Sequence, residues 1–210
     1  MPLSPVANRI PKHLRDVRFR SFEREDGLWD VEGELLDTKA YDLVLSGERK
    51  RKAGDAIHHM WIRCTINTDL VVQAIEVAMD AHPLGDCPQA LPAMQKMVGC
   101  SMARGWRKAI EANLGDIAGC THMRELLFNM ATAAFQSVHK AFVSADPSQP
   151  PRHLGQCAGW DFNGAGVAAI YPQFVGWQPL VRQPSPAEAT KATKAPVAAE
   201  SPSVTSKAET

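Results

Sequence analysis

The chain has 210 residues, 45% of them hydrophobic, enough to bury one good core and so to form one domain with at most a small appendage. Lys and Arg together number 23 and Asp and Glu 23, a formal net charge of zero, which argues against a general nucleic-acid or anionic-membrane binder. Nowhere do about 18 apolar residues follow one another as a membrane helix needs, and Met1 to Arg9 holds no apolar run of signal-peptide length, so a cytoplasmic protein is expected.

Residues 1–16 read as a flexible arm and residues 17–182 as a single α+β domain. In Gly27 to Leu35 alternation sets Trp29, Val31 and Leu35 on one face of a strand and Asp30, Glu32 and Glu34 on the other. Such a carboxylate row can hold a hard cation, but a solvated sheet face paired with Arg18, Arg20 or Arg24 explains it as well. His58 to Asn67 and Val71 to Asp80 flank Asn67-Thr68-Asp69 and predict a β-hairpin. Period two puts His58 in phase with Met60, Ile62, Cys64 and Ile66, on the apolar face, and His59 with Trp61 and Arg63 on the other.

The second half carries helical spacing. Leu91, Met94, Val98 and Met102 predict a helix after Asp86, Trp106 to Leu114 a shorter one ending at Gly115, and Met123, Leu126, Leu127, Met130, Ala134 and Phe142 a third, capped by Thr121. Ala165 to Val175, rich in Val, Ile, Tyr and Phe, predicts a returning strand. Residues 183–210, built of Ala, Pro, Ser, Thr, Lys and Glu without an aromatic residue, read as a disordered tail. The predicted class is α+β, an antiparallel sheet in the first half packed against helices of the second.

Five cysteines, at 64, 87, 100, 120 and 157, are an odd number for a disulfide framework and read as reduced thiols. Cys64 on the apolar strand face and Cys100 inside the first helix read as small buried hydrophobes. Cys87 and Cys120 each stand where an irregular segment turns into a helix, and the exposed amides and positive dipole end there favour thiolate over thiol. With His58, His59 and His122 they form the cluster with recognisable chemistry. As a nucleophile Cys120 would attack a small acyl or aromatic metabolite, with His58, His59 or His122 as base and Trp29 and Trp61 as an apolar wall. Arg104 and Arg107 read as a solvated helix face, with recognition of an anion as the other reading.

Phe19, the run Asp26 to Gly33, Leu36-Asp37-Thr38-Lys39, Gly54 to Met60, Cys87, Gly99, Gly105-Trp106 and Gly119-Cys120-Thr121-His122 together resemble a bacterial domain of unknown function, the family numbered 2889, over about Arg18 to Tyr171. That resemblance implies no established activity, only a loose association with bacterial small-molecule catabolism. The order of elements is also similar to that of the iron–sulfur cluster scaffold proteins of the U type, with His58, Cys87 and Cys120 at the corresponding places. This second resemblance implies a zinc or iron ligand set of His58, Cys87 and Cys120, with His122 or Cys157 as the fourth ligand; the scaffold family has cysteine where this chain has His58. Three readings follow: a zinc- or iron-binding protein, a thiol-dependent enzyme, and a non-enzymatic binding module. A small-molecule ligand is expected, nucleic acid and membrane are not, and the oligomeric state stays open.

Overall fold

The computed structural model describes residues 7–44, 50–138, 144 and 146–178, and the expected tail lies outside them. Alternating apolar and polar side chains build the strands β1 (His13–Glu23) and β2 (Trp29–Lys39), then the two-residue β3 (Leu43–Val44) and β4 (Lys50–Arg51), then β5 (Ala56–Ile66) and β6 (Val72–Ala81). β3 and β4 pair with each other, and the four long strands form an antiparallel sheet in the order β1-β2-β5-β6. Two α-helices follow, α1 (Trp106–Leu114) and α2 (Thr121–Ser137), then a short α3 (Ala165–Ile170). The chain is therefore an α+β protein, sheet first and helices second, as its periodicity predicts.

The hairpin between β5 and β6 turns where the sequence suggests. The Asn67 side-chain oxygen accepts hydrogen bonds from the amides of Asp69 and Val71, at 3.0 and 2.9 Å, the turn geometry that Asn favours. One face of the sheet is covered by α2, whose Met123, Leu126, Leu127, Met130 and Ala134 are buried among Val31, Leu35, Met60, Ile62 and Cys64. Gly33 permits this close seat: a Cβ on it would stand 2.9 Å from the Met130 methyl and 3.0 Å from the Phe19 ring. Trp106 locks α1 to α2 by burying its ring and donating its indole N–H to the Leu127 carbonyl at 2.7 Å.

The opposite face is charged, and it resolves the carboxylate row of β2. Glu32 and Glu76 both receive the Arg63 guanidinium at 2.8 Å, Arg20 lies 3.6 Å from Glu34 and Arg24 3.4 Å from Asp30. Each carboxylate thus faces a cation of a neighbouring strand or turn. Because the Arg63 side chain is 47% exposed, Arg63→Ala is expected to cost under about 1 kcal/mol in urea unfolding.

Several predicted elements differ. β1 begins at His13 and so occupies His13, Leu14, Arg15 and Asp16 of the expected arm, because its pairing with β2 supplies backbone partners that composition does not reveal. The first predicted helix is two 3₁₀ segments, Cys87–Ala90 and Pro92–Met97; Pro88 and Pro92 lack the N–H that a longer helix would use. Cys100 lies after them in an irregular link rather than inside a helix. The segment predicted as a last strand is α3 followed by a 3₁₀ turn, Pro172–Phe174. It packs into a second small core of Leu154, Val167 and Phe174, flanked by Trp160, Phe162, Tyr171 and Trp177, so its apolar residues serve a helix face and not a sheet. Among the described residues no helix is long and apolar enough to cross a membrane.

Candidate functional site

The inner-face phase of β2 runs Val31, Gly33, Leu35 and then Asp37, so a carboxylate enters the core where a fourth small or apolar residue is expected. Asp37 is 2% exposed. Burial would push its carboxyl up, but the Arg15 fork beside it, with His13 and His58, holds it down at about 2. Arg15 stands directly across from it on β1. Its Nε donates to Asp37 Oδ1 at 2.7 Å and its second terminal nitrogen to Oδ2 at 2.8 Å, while the first reaches Glu125 of α2, also at 2.7 Å.

His13 Nε2 lies 3.1 Å from Asp37 Oδ1, and His58 Nδ1 lies 3.0 Å from Oδ2. All four lone-pair directions of the carboxylate are then engaged. His58 reaches this place through the register of β5, where it pairs with Asp37 before a bulge leaves Ile57 without a cross-strand partner of its own. Its alternation with Met60 and Ile62 places it on the inner face.

α2 brings the remaining group. Cys120 occupies the N-cap, the position expected for Thr121, and His122 follows in the first turn with Glu125 three residues on, along the same side of the helix. The rings of His58 and His122 lie 3.9 Å apart, tilted by 33°. His122 Nε2 is 3.9 Å from Asp37 Oδ2, and its Nδ1 is 3.9 Å from Cys120 Sγ. Burial lowers both histidines below the usual imidazole range; Asp37 works against this at His58, and the His58 charge adds to it at His122. Burial thus favours the neutral form of each ring, which has a lone pair to offer.

Among the described residues, the group whose donor atoms all lie within 4.8 Å of one another is Asp37, His58 and His122. Of the predicted ligands, His58 and the alternative fourth ligand His122 come together, whereas Cys87, Cys120 and Cys157 are not in that group. Cys87 opens a four-residue 3₁₀ turn, too short for an appreciable helix dipole, and is outside that group. Cys157 lines a separate cleft with His153 and Trp160, because the segment that carries it joins the second core. Cys120 sits at the helix start as predicted, but against the far nitrogen of His122 rather than among the three donors.

Other candidate residues are spoken for. His59 faces the charged side of the sheet, 3.2 Å from Glu34 and against the Trp61 ring, so it is not across from Cys120. Trp61 donates to Asp80 on that face and Trp29 packs on the core. Arg107 lies over the Phe128 ring. Cys64 is fully buried, which pushes its thiol up, and Cys100 Sγ is 3.7 Å from the Lys96 carbonyl.

Asp37, Arg15 and His13 were not singled out from the sequence as site residues. The signal for Asp37 was present: it continues the alternation of Val31 and Leu35, and a carboxylate in an apolar phase requires partners. Gly119 sets how α2 enters, since a Cβ on it would overlap the Leu114 carbonyl oxygen and crowd the Leu114 side chain. Gly119→Ala is expected to cost about 1–3 kcal/mol in urea unfolding and to shift the His122 ring resonances, because the backbone must move just before the helix.

An antiparallel four-stranded sheet with one helix across its inner face and an Asp-His-His cluster at its end defines the class of domain. The chain belongs to the family described as Protein of unknown function (DUF2889), whose model matches residues 13–136, from the first residue of β1 to within one residue of the end of α2. The cluster and the sheet lie inside this match, and the second core lies outside it. No curated protein and no solved structure matches the chain.

Proposed function

We propose that this domain binds one zinc- or iron-type cation through Asp37, His58 and His122. The observation that carries the reading is the convergence of the three donor atoms within 4.8 Å, two of them on imidazoles. Oδ2 to His58 Nδ1 is 3.0 Å and Oδ2 to His122 Nε2 is 3.9 Å, on either side of the about 3.4 Å that separates ligands around a tetrahedral cation with bonds of about 2.1 Å. The cation takes the place of the proton that His58 Nδ1 shares with the carboxylate, and the Arg15 fork keeps Asp37 ionised to receive it. Two imidazoles and one carboxylate suit zinc and iron(II), and three protein ligands leave a position open to water or substrate, the arrangement of a reactive rather than a purely structural centre.

The test is metal analysis and calorimetric titration of the tag-free chain with Zn²⁺ and with Fe²⁺ under argon. About one equivalent is expected, with affinity falling 100-fold or more in His122→Ala and in Asp37→Asn, whereas Cys87→Ser and Cys157→Ser bind as the parent does. Equal loss in the Cys87 variant would return the ligand set to the cysteines.

A second reading rests on a different distance. Cys120 Sγ lies 3.9 Å from His122 Nδ1 at the N-cap of a 17-residue helix, which suits a thiol-dependent enzyme acting through Cys120 on a small acyl or aromatic metabolite. Metal-free protein in which Cys120 alone outruns Cys87 and Cys157 toward iodoacetamide would favour it over the metal reading.

A further inference from the structure

Between α2 and the C-terminal segment lies a cleft of about 410 Å³, lined by none of Asp37, His58 and His122. It lies where the two cores meet: Met102, Phe135 and Ala131 line it from the first, and Trp160 from the second. Its size falls in the range of about 300–1,000 Å³ typical of small-ligand clefts, and junctions between cores are where such clefts form.

The chemistry of the lining selects a ligand class. Phe135, Trp160 and Met102 contribute aromatic and apolar surface to its lining. Among the described residues no aspartate or glutamate lines the cleft, and the one formal charge is that of Arg152. Arg152 is exposed and makes no ion pair among the described residues, so its guanidinium keeps its donors for a guest. His153 packs edge-on against Trp160 at 4.7 Å and Tyr171 at 5.6 Å, and burial lowers it below the usual imidazole range. The amides of Gln136 and Gln156 supply neutral hydrogen bonds at the rim.

We infer that this cleft binds an aromatic monocarboxylate, its ring between Phe135 and Trp160 and its carboxylate on Arg152. The unpaired Arg152 guanidinium suits a carboxylate, and the Phe135 and Trp160 rings offer aromatic surface to a planar ring. Among the described residues Arg152 is the one cation lining the cleft, which matches a single carboxylate.

The probe is 2-naphthoate, titrated calorimetrically into the full chain with 2-naphthamide as the uncharged control. Saturable one-to-one binding is expected, about tenfold tighter for the acid than for the amide, with Arg152→Gln bringing the acid to the level of the amide. Cys157 lies at the rim, so bound naphthoate is expected to slow its alkylation by iodoacetamide and leave Cys87 unaffected. Thr132→Trp, on the exposed side of α2, fills the cleft without touching the core and abolishes binding of both compounds. Binding that is unchanged in Arg152→Gln, or that survives in Thr132→Trp, or the lack of any saturable heat in the parent chain overturns the assignment.

Discussion

Asp37→Ala is expected to lower the unfolding free energy by about 3 kcal/mol, read as the shift in urea unfolding at pH 7. The carboxylate is 2% exposed and receives four hydrogen-bond contacts, two from Arg15 and one each from His13 and His58. Breaking a buried charged pair by removing one partner costs about 3–5 kcal/mol, because the other charge keeps its desolvation penalty. The lower end applies here, since the Arg15 side chain is 32% exposed and keeps Glu125. A loss below about 1 kcal/mol would mean that water replaces the carboxylate without strain.

The effect carries a pH signature. The Asp37 carboxyl is held at about 2 in the folded chain against an ordinary 3.8, so its contribution is complete above about pH 4 and disappears as pH falls through 2. Parent and Asp37→Ala stabilities therefore converge in strong acid. The histidines act in a higher window. His58 and His122 are lowered by burial, so below the ordinary 6.5 the unfolded chain binds more protons than the folded one. Urea midpoints of the parent are accordingly expected to drop between pH 7.5 and pH 5.5, and a His58→Gln, His122→Gln double variant to flatten that drop.

Trp106→Ala is expected to cost about 4 kcal/mol. Its ring is 5% exposed within the main core and ties α1 to α2, and removing so large a side chain leaves both a transfer loss and a cavity. Against a typical total stability of about 5–15 kcal/mol, that leaves a chain near its unfolding midpoint at modest urea. Trp106→Phe retains most of the volume and loses only the indole N–H to the Leu127 carbonyl, so a loss of about 1–2 kcal/mol is expected. Because α2 carries His122, the phenylalanine variant also tests whether the site depends on how firmly the helix is held. Unchanged Zn²⁺ affinity in Trp106→Phe would show that the sheet and the first turn of α2 suffice.

The parts of the fold that follow from short-range periodicity were legible in the sequence. Alternation placed Val31 and Leu35 on the inner face of β2 and Asp30, Glu32 and Glu34 on the outer, and the same rule placed His58 inward with Met60. Spacing by three and four put Met123, Leu126, Leu127 and Met130 on the buried stripe of α2. Residues Cys87 to Val98 were misread because 3₁₀ turns share the helical spacing of their apolar residues over so short a length, and Ala165 to Val175 because β-branched and aromatic residues also serve a small helical core.

The site was legible only in part, for a different reason. His58, Cys120 and His122 drew attention by type and position, yet their relation to Asp37 and Arg15 depends on strand register and on the depth at which α2 seats over Gly33. Register decides that Arg15 faces Asp37 and that Asp37 faces His58, and no local pattern encodes a pairing across 21 or 22 residues of chain. The amino-acid sequence by itself determined the class, the faces of the strands and helices, and the residues with chemistry to offer. Only the tertiary structure decided which of them meet. Two imidazoles and a buried carboxylate converge while Cys87 and Cys157 are carried elsewhere, because convergence is set by packing between elements distant in the chain.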